Sequence, residues 1–347
     1  MALTLRPDTL KRYRGDIGRH VKPRLGRKKL TQLTAEDLRE LYRFLLEQGR
    51  IAPRPGQSPG LSPATVRGIH AALHQALQAA ADQGLMPNNP AKHVKPPKVP
   101  HKAMNILTEE QLEVFLAAAD KDPIWRDFFY TELTTGLRLG EALALTWTDY
   151  DEYSKTVMID KNTVYADGEK ITQMPKTESG ERLIILNRQA VQDLECLRRQ
   201  FDEQSREIEQ RKVEELRQAE LKYFGPEQKS AKLKIKEKYA AIEREHKYIC
   251  GSSTFPYGSG GHSSTLQTHK KICKVIGLSH AVTVHGLRHT YVTHYYLHHK
   301  NDPDFDLATF SKSIGHSSIR TTMEIYAHLD MTQNRYIPRA MEDLKEF

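Results

Sequence analysis

The sequence predicts a mainly α-helical protein with a small antiparallel β-sheet, arranged as two domains, the second carrying an inserted helical hairpin. Three observations lead there. Apolar residues recur at three- and four-residue steps in several segments of the 347-residue chain, and several of these runs open with a capping residue. Short alternating runs, T-V-M-I-D, I-T-Q-M-P and R-L-I-I-L, cluster between residues 156 and 186. Positive charge is concentrated at one end: residues 1–104 hold 19 Lys and Arg against 7 Asp and Glu, the remainder 33 against 37. The net +8 is therefore +12 followed by −4, which suits a nucleic-acid grip joined to a near-neutral unit, or simply a solvated basic surface.

In chain order, residues 7–20 read as a short helix with Pro7 near its start, followed by a basic turn at 24–29. Thr34 precedes Glu36 and Asp37 as an N-cap, opening a helix through Leu38, Leu41, Tyr42, Leu45 and Leu46. Ser62-Pro63 starts another, with Val66, Ile69, Leu73, Leu77 and Ala80 on its apolar stripe. K-P-P-K-V-P at 95–100 reads as a semi-stiff linker, which bounds a basic helical domain at 1–97, a linker at 98–104 and a second domain at 105–347. In that domain Thr108 caps a helix, Pro123 opens one through Phe128, Phe129 and Leu133, and T-T-G at 134–136 ends it. The alternating runs follow, with Asp167-Gly168 as a turn between the first two. Residues 188–247 are dominated by charge and glutamine around one thin apolar seam, interrupted at Gly225-Pro226. They read as two long antiparallel helices: either a protruding arm or a tolerated surface insertion. A glycine- and serine-rich loop spans 251–264.

No run of 18 apolar residues is present to cross a membrane, and the first residues lack the apolar core of a secretory leader. Three scattered cysteines read as free thiols of a reducing, cytosolic compartment. Sixteen histidines raise the question of a metal. His262 with His269, or His294, His298 and His299, have no Cys or acidic partner at ligand spacing, so neither metal nor cofactor is expected.

The chemistry concentrates near the C-terminal end. V-H-G-L-R-H-T (284–290), I-G-H-S-S (314–318) and M-E-I-Y (323–326) bring three histidines, an arginine and a tyrosine into one stretch. Such a set can hold a phosphate and attack it, given further help. Arginine forks must meet the charge of a five-coordinate phosphorane, a base must take the proton of a phenol whose pKa is about 10, and an acid must protonate the leaving oxygen. A second arginine occurs in T-T-G-L-R-L-G-E (134–141), at a break between helices, and a candidate acid in P-K-T-E-S-G-E-R (175–182), at a strand–turn–strand tip. Read singly, Tyr326 could be a core tyrosine and Arg138 a helix-junction arginine, while Lys161 and Lys170 rival Lys176.

The five boxes in this order, behind a basic helical domain, resemble the tyrosine recombinase (phage and transposon integrase) family. The resemblance covers about residues 4–187 and 248–347. It implies a helical core-site DNA-binding domain and an α+β catalytic domain. It also implies Tyr326 as nucleophile forming a 3′-phosphotyrosyl bond, and Arg138 and Arg288 on the nonbridging oxygens. Lys176 would be the acid for the 5′-hydroxyl, His285 the general base or acid, and His316 a hydrogen-bond donor to the phosphate. Glu141 and His289 match positions that orient the site. Neither ATP nor metal is implied. The expected partners are double-stranded DNA with inverted core sites, three further copies in a tetramer on two DNAs, and accessory DNA-bending or directionality factors. Residues 330–347 would dock on a neighbouring subunit. The resemblance begins at the core-binding domain, with no arm-site domain visible before it. A non-catalytic DNA-binding protein derived from a recombinase is the competing reading; the two-domain layout and docking tail argue against a type IB topoisomerase.

Overall fold

The computed structural model describes residues 7–100, 105–122, 125–166, 169–174, 180–250, 262–278, 282–316, 318 and 322–323. The chain forms two compact units, Met1–Ala103 and Met104–Phe347.

In the first unit, α1 (Pro7–Asp16) runs through one π-type turn, Ile17–Val21, into α2 (Lys22–Leu25), so the helical path extends past the expected end at residue 20. α3 (Ala35–Gln48) starts on a reciprocal cap. The Asp37 amide donates to Thr34 Oγ1, and the Thr34 amide donates to Asp37 Oδ2 at 2.8 Å. Lys28 reaches the same carboxylate at 2.6 Å, and these contacts hold Asp37 below the usual carboxylate range. α4 (Pro63–Asp82) is capped by Ser62, whose Oγ accepts from the Thr65 amide. The three-to-four spacing then does what it predicts. Leu38, Leu41, Tyr42 and Leu45 of α3 bury against Val66, Ile69, Leu73 and Leu77 of α4, closed by Val21, Met86, Ala91 and Val94. Lys11, Arg12, Arg14, Arg19, Lys22, Arg24, Arg27, Lys28 and Lys29 all remain exposed.

The second unit opens with α5 (Glu109–Ala119), capped by Thr108 and Gln111. α6 (Arg126–Thr135) stops at Gly136, whose φ of +63° suits a left-handed cap that a side chain would strain; a Cβ there would also run into the Tyr291 ring. A single helical turn follows, α7 (Leu139–Ala142). β1 (Tyr150–Asp151), β2 (Thr156–Ile159), β3 (Asn162–Ala166), β4 (Glu169–Gln173) and β5 (Arg182–Ile185) are all antiparallel, but they form two sheets rather than one. β2 lies between β1 and β5, with Val157 opposite both Tyr150 and Ile184. The I-T-Q run pairs instead with Asn162–Ala166, a strand whose mixed polarity hides it in the sequence.

α8 (Arg188–Lys222) and α9 (Gly225–His246) form the hairpin. Lys212–Glu243, Lys238–Glu215 and Lys232–Glu220 ion pairs join them in opposite chain senses. The start of α8 is not peripheral: Ala190, Leu194 and Leu197 belong to the unit's main core, and Phe201 stacks on His246 with ring centroids 4.5 Å apart. Beyond the hairpin the chain rejoins the core, where Ile249 donates to the Leu145 carbonyl. α10 (His262–Val275) begins inside the stretch expected to be a loop. α11 (Val284–His299) is central, and α12 (Leu307–Ser313) packs on it through Phe310 and Ile314 against Val292 and Tyr295. Phe115, Phe128, Phe129, Leu137 and Leu287 are fully buried at the middle of this unit.

Candidate active site

α11 begins with Thr283 as N-cap, its Oγ1 accepting from the Gly286 amide. His285 and Arg288 therefore lie one turn apart on the first turns of a sixteen-residue helix, where the aligned peptide dipoles favour an anion. His285 is exposed. Burial of part of the ring, followed by the charges of Arg288 and Arg138, lowers its pKa. Its ring meets His289 edge-on, with centroids 4.5 Å apart.

Arg288 points inward and is 1% exposed. Its Nη1 donates to the Gly136 carbonyl at 2.6 Å, at the negative end of α6. Its Nη2 donates to the Ile314 carbonyl at 2.5 Å. Burial, then Arg138, pushes its pKa down to about 9, which leaves it charged at neutral pH.

Arg138 occupies the α6–α7 break. Its Nη2 donates to the Gly315 carbonyl at 2.5 Å and its Nη1 to Glu141 Oε1 at 2.7 Å. Both arginines thus grip successive carbonyls of the same Ile314-Gly315 turn, and the next residue is His316. That turn closes α12 with Gly315 in the left-handed region, φ +71°. His316 Nδ1 lies 2.8 Å from Thr322 Oγ1. Burial first, then the Arg288 and Arg138 charges, drive the His316 pKa down to about 3, so its imidazole is neutral at physiological pH.

Residues far apart in sequence, 138, 285, 288 and 316, are therefore brought to one place. Lys176 and Tyr326 lie outside the described residues, as do residues 330–347. Of the lysines that rival Lys176, Lys161 is committed elsewhere, its Nζ 2.5 Å from Asp149 Oδ1.

Arg182 is the member of the site that sequence reasoning passed over. As the first residue of β5 it shares the inner face with Ile184, and it is 9% exposed. Its Nη2 donates to Glu141 Oε2 at 2.9 Å and its Nε to the Ser313 carbonyl at 2.7 Å. Glu141 stands between Arg182 and Arg138 and also accepts from the Arg138 amide at 3.0 Å. Burial pushes the Glu141 carboxyl up, but the Arg182 hydrogen bonds and charge, with Arg138, overcome this and hold it at about 2. The missed signal was the strand alternation, which assigns the arginine of R-L-I-I to the same face as a core isoleucine. Beneath the site lies Glu132, fully buried on α6, one turn before Gly136. Burial raises its carboxyl well above the usual range, with the Arg288 charge opposing.

The geometry offers two forked cations, a helix N-terminus and neutral imidazoles around one turn: a receptor for a phosphodiester and for the charge that builds as it is attacked. The sequence profile of the "Phage integrase family" matches residues 105–333, and that of its N-terminal SAM-like domain matches residues 1–46. The chain belongs to the phage integrase family. It is a tyrosine-type site-specific DNA recombinase. The integrase is 23% identical to the ICEBs1 integrase of Bacillus subtilis over 94% of its own length and 76% of that protein. It is 27% identical to the XerC tyrosine recombinase of Chlamydia muridarum over 80% and 73%. Its fold matches the Tn1549 transposon integrase in complex with transposon right-end DNA, with TM-score 0.58, 20% identity and coverage of 94% and 99% of the two chains. It also matches a lambda integrase dimer bound to a core site, with TM-score 0.59, 15% identity and coverage of 97% and 93%.

Proposed function

We propose that this integrase moves a mobile element into and out of DNA by cutting and rejoining strands through a 3′-phosphotyrosyl bond on Tyr326. The observation that carries this is the convergence of Arg138, Arg288, His285 and His316 on the turn after α12. In this reading the scissile phosphate sits at the N-terminus of α11. Arg138 and Arg288 offset the charge of the phosphorane, and His316 donates to a nonbridging oxygen. Neutral His285 takes the Tyr326 proton, and Lys176 protonates the 5′-oxygen as it departs. The phosphotyrosyl linkage keeps the energy of the broken diester, so the chemistry calls for no ATP and no metal.

Residues 1–97 are the core-site DNA-binding domain, and the exposed basic residues between Lys11 and Lys29 would contact phosphates there. Residues 105–347 are the catalytic domain. Four copies acting on two inverted core sites, joined through residues 330–347 and helped by DNA-bending or directionality factors, complete the reaction in the cytoplasm. A lambda integrase tetramer bound to a Holliday junction shares the fold at TM-score 0.56, which supports that assembly by analogy.

The test is a core-site duplex nicked beside the cleavage position, so that the leaving fragment diffuses away. Wild type is expected to give an SDS-stable protein–DNA adduct in EDTA. Tyr326→Phe is expected to give none while retaining DNA affinity within about twofold. An equal adduct from the Phe variant would overturn the assignment of the nucleophile.

A further inference from the structure

Among the described residues, one cluster of ligand-bearing side chains lies apart from the reacting groups. Glu109, in the first turn of α5, comes together with His294 and His298 of α11, their ligand atoms all within 4.8 Å of one another. The histidines lie four residues apart on one helix face, the spacing by which a helix offers two imidazoles to one ion. The acidic partner was invisible in the sequence because it arrives from nearly two hundred residues upstream.

The state of His294 is the second observation. Its Nε2 lies 2.9 Å from the Leu107 carbonyl, which can only accept, so this nitrogen carries the proton. The lone pair is left on Nδ1, which is buried and has no hydrogen-bond partner. A ring nitrogen fixed by a backbone carbonyl while the other keeps a buried lone pair is the usual outer-sphere arrangement of a metal-binding histidine. All three residues are half-buried, which limits competition from water without closing the site.

We propose that Glu109, His294 and His298 bind a divalent transition-metal ion of the zinc class, with water completing its coordination. The donor set, two imidazoles and a carboxylate, suits Zn²⁺ and its neighbours and is a poor match for Mg²⁺ or Ca²⁺. Tetrahedral bonds of about 2.1 Å place ligand atoms roughly 3.4 Å apart, so atoms now within 4.8 Å need to close by no more than roughly 1.4 Å to hold an ion. The ion ties the start of α5 to α11. His294 lies six residues beyond Arg288, about 9 Å along the helix, so the metal is a clamp on the catalytic helix and takes no part in strand transfer.

The test uses the full chain, stripped of metal by chelator and dialysed. Zn²⁺ is titrated against a competing chromogenic chelator, Co²⁺ is followed by its visible d–d bands, and melting is recorded with and without Zn²⁺. Wild type is expected to bind one equivalent at micromolar or lower concentration, to show the cobalt bands of a four-coordinate site, and to melt higher with Zn²⁺. Glu109→Gln and His298→Gln are each expected to weaken binding at least about tenfold and to lose the zinc-dependent melting shift, while remaining as folded as metal-free wild type. No binding by wild type, or unchanged affinity in both variants, would overturn the proposal; the second result would mean that the ion binds elsewhere. Because these readouts involve no DNA, their failure is distinct from failure of the recombinase chemistry.

Discussion

Replacing Glu141 by glutamine removes one charge while keeping the shape of the side chain. It should expose how much of the active site is held by the Arg182–Glu141–Arg138 bridge. Glu141 is 5% exposed and its carboxyl stands at about 2 against an ordinary 4.5. At about 1.4 kcal/mol per pH unit, that difference is worth about 3 kcal/mol of stability at pH 7. An independent estimate agrees, since removing one partner of a buried ion pair costs about 3–5 kcal/mol. For a unit of this size the loss should lower its melting point by about 6–12 °C. The pH dependence gives a sharper signature. A carboxyl whose pKa is depressed on folding contributes stability above its unfolded value, and that contribution disappears as pH falls through its folded value. The gap between wild type and Glu141→Gln should therefore be full at pH 5 and above, and close toward pH 2. Denaturant melts of both proteins across that range measure it. A gap below about 1 kcal/mol at pH 7, or one that stays constant down to pH 2, would refute the reasoning.

Other consequences follow from the same contacts. Gly315→Ala would put a side chain at φ +71° with its Cβ 2.8 Å from Arg182 Nη1; a loss of about 2 kcal/mol and a large fall in adduct formation are expected in unfolding and suicide-substrate assays. His316, held at about 3, should show the nitrogen shifts of neutral imidazole down to pH 5 in the DNA-free protein by NMR; titration near 6.5 would contradict its burial between two arginines. Burial raises the Glu132 carboxyl well above the usual range and so favours its neutral form, which glutamine mimics; Glu132→Gln should change stability by less than about 1 kcal/mol at pH 7, and a loss above about 2 kcal/mol would show that the carboxylate is ionised against Arg288. Thr108→Ala removes the cap of α5 and should cost about 1 kcal/mol in the same melts.

What could be read from the sequence divides along a physical line. Periodicity and caps are local, so α3, α4, α5 and the T-T-G stop of α6 were foreseeable from neighbours within four residues. Charged residues whose partners are remote were not. Arg182 reads as a strand residue of no consequence until Glu141 is placed beside it, and Glu109 reads as a first-turn acid until α11 brings His294 and His298 against it. The β3–β4 hairpin escaped for a related reason. N-T-V-Y-A is too polar and too short to announce itself, and its partner strand alone was visible.

The remaining question is why the two arginines are spent on backbone carbonyls at all. A guanidinium left without acceptors in a site this enclosed would have to be hydrated or displaced. Gly136, Ile314 and Gly315 supply acceptors that cannot rotate away, because each belongs to a helix end fixed by its own hydrogen bonds. Arg138 keeps its remaining donors and 40% of its side-chain surface free, whereas Arg288 is sealed to 1%. In the proposed reaction the two would therefore play unequal parts in first contact with a phosphate. Arg138 would meet it directly from solvent. Arg288 would act at that stage through its field and would have to be uncovered before it could fork onto an oxygen. The difference predicts that Arg138→Lys weakens initial capture of a core site, whereas Arg288→Lys spares capture and abolishes adduct formation. Equal losses in DNA affinity for the two variants would show that Arg288 is already open to the phosphate before cleavage begins.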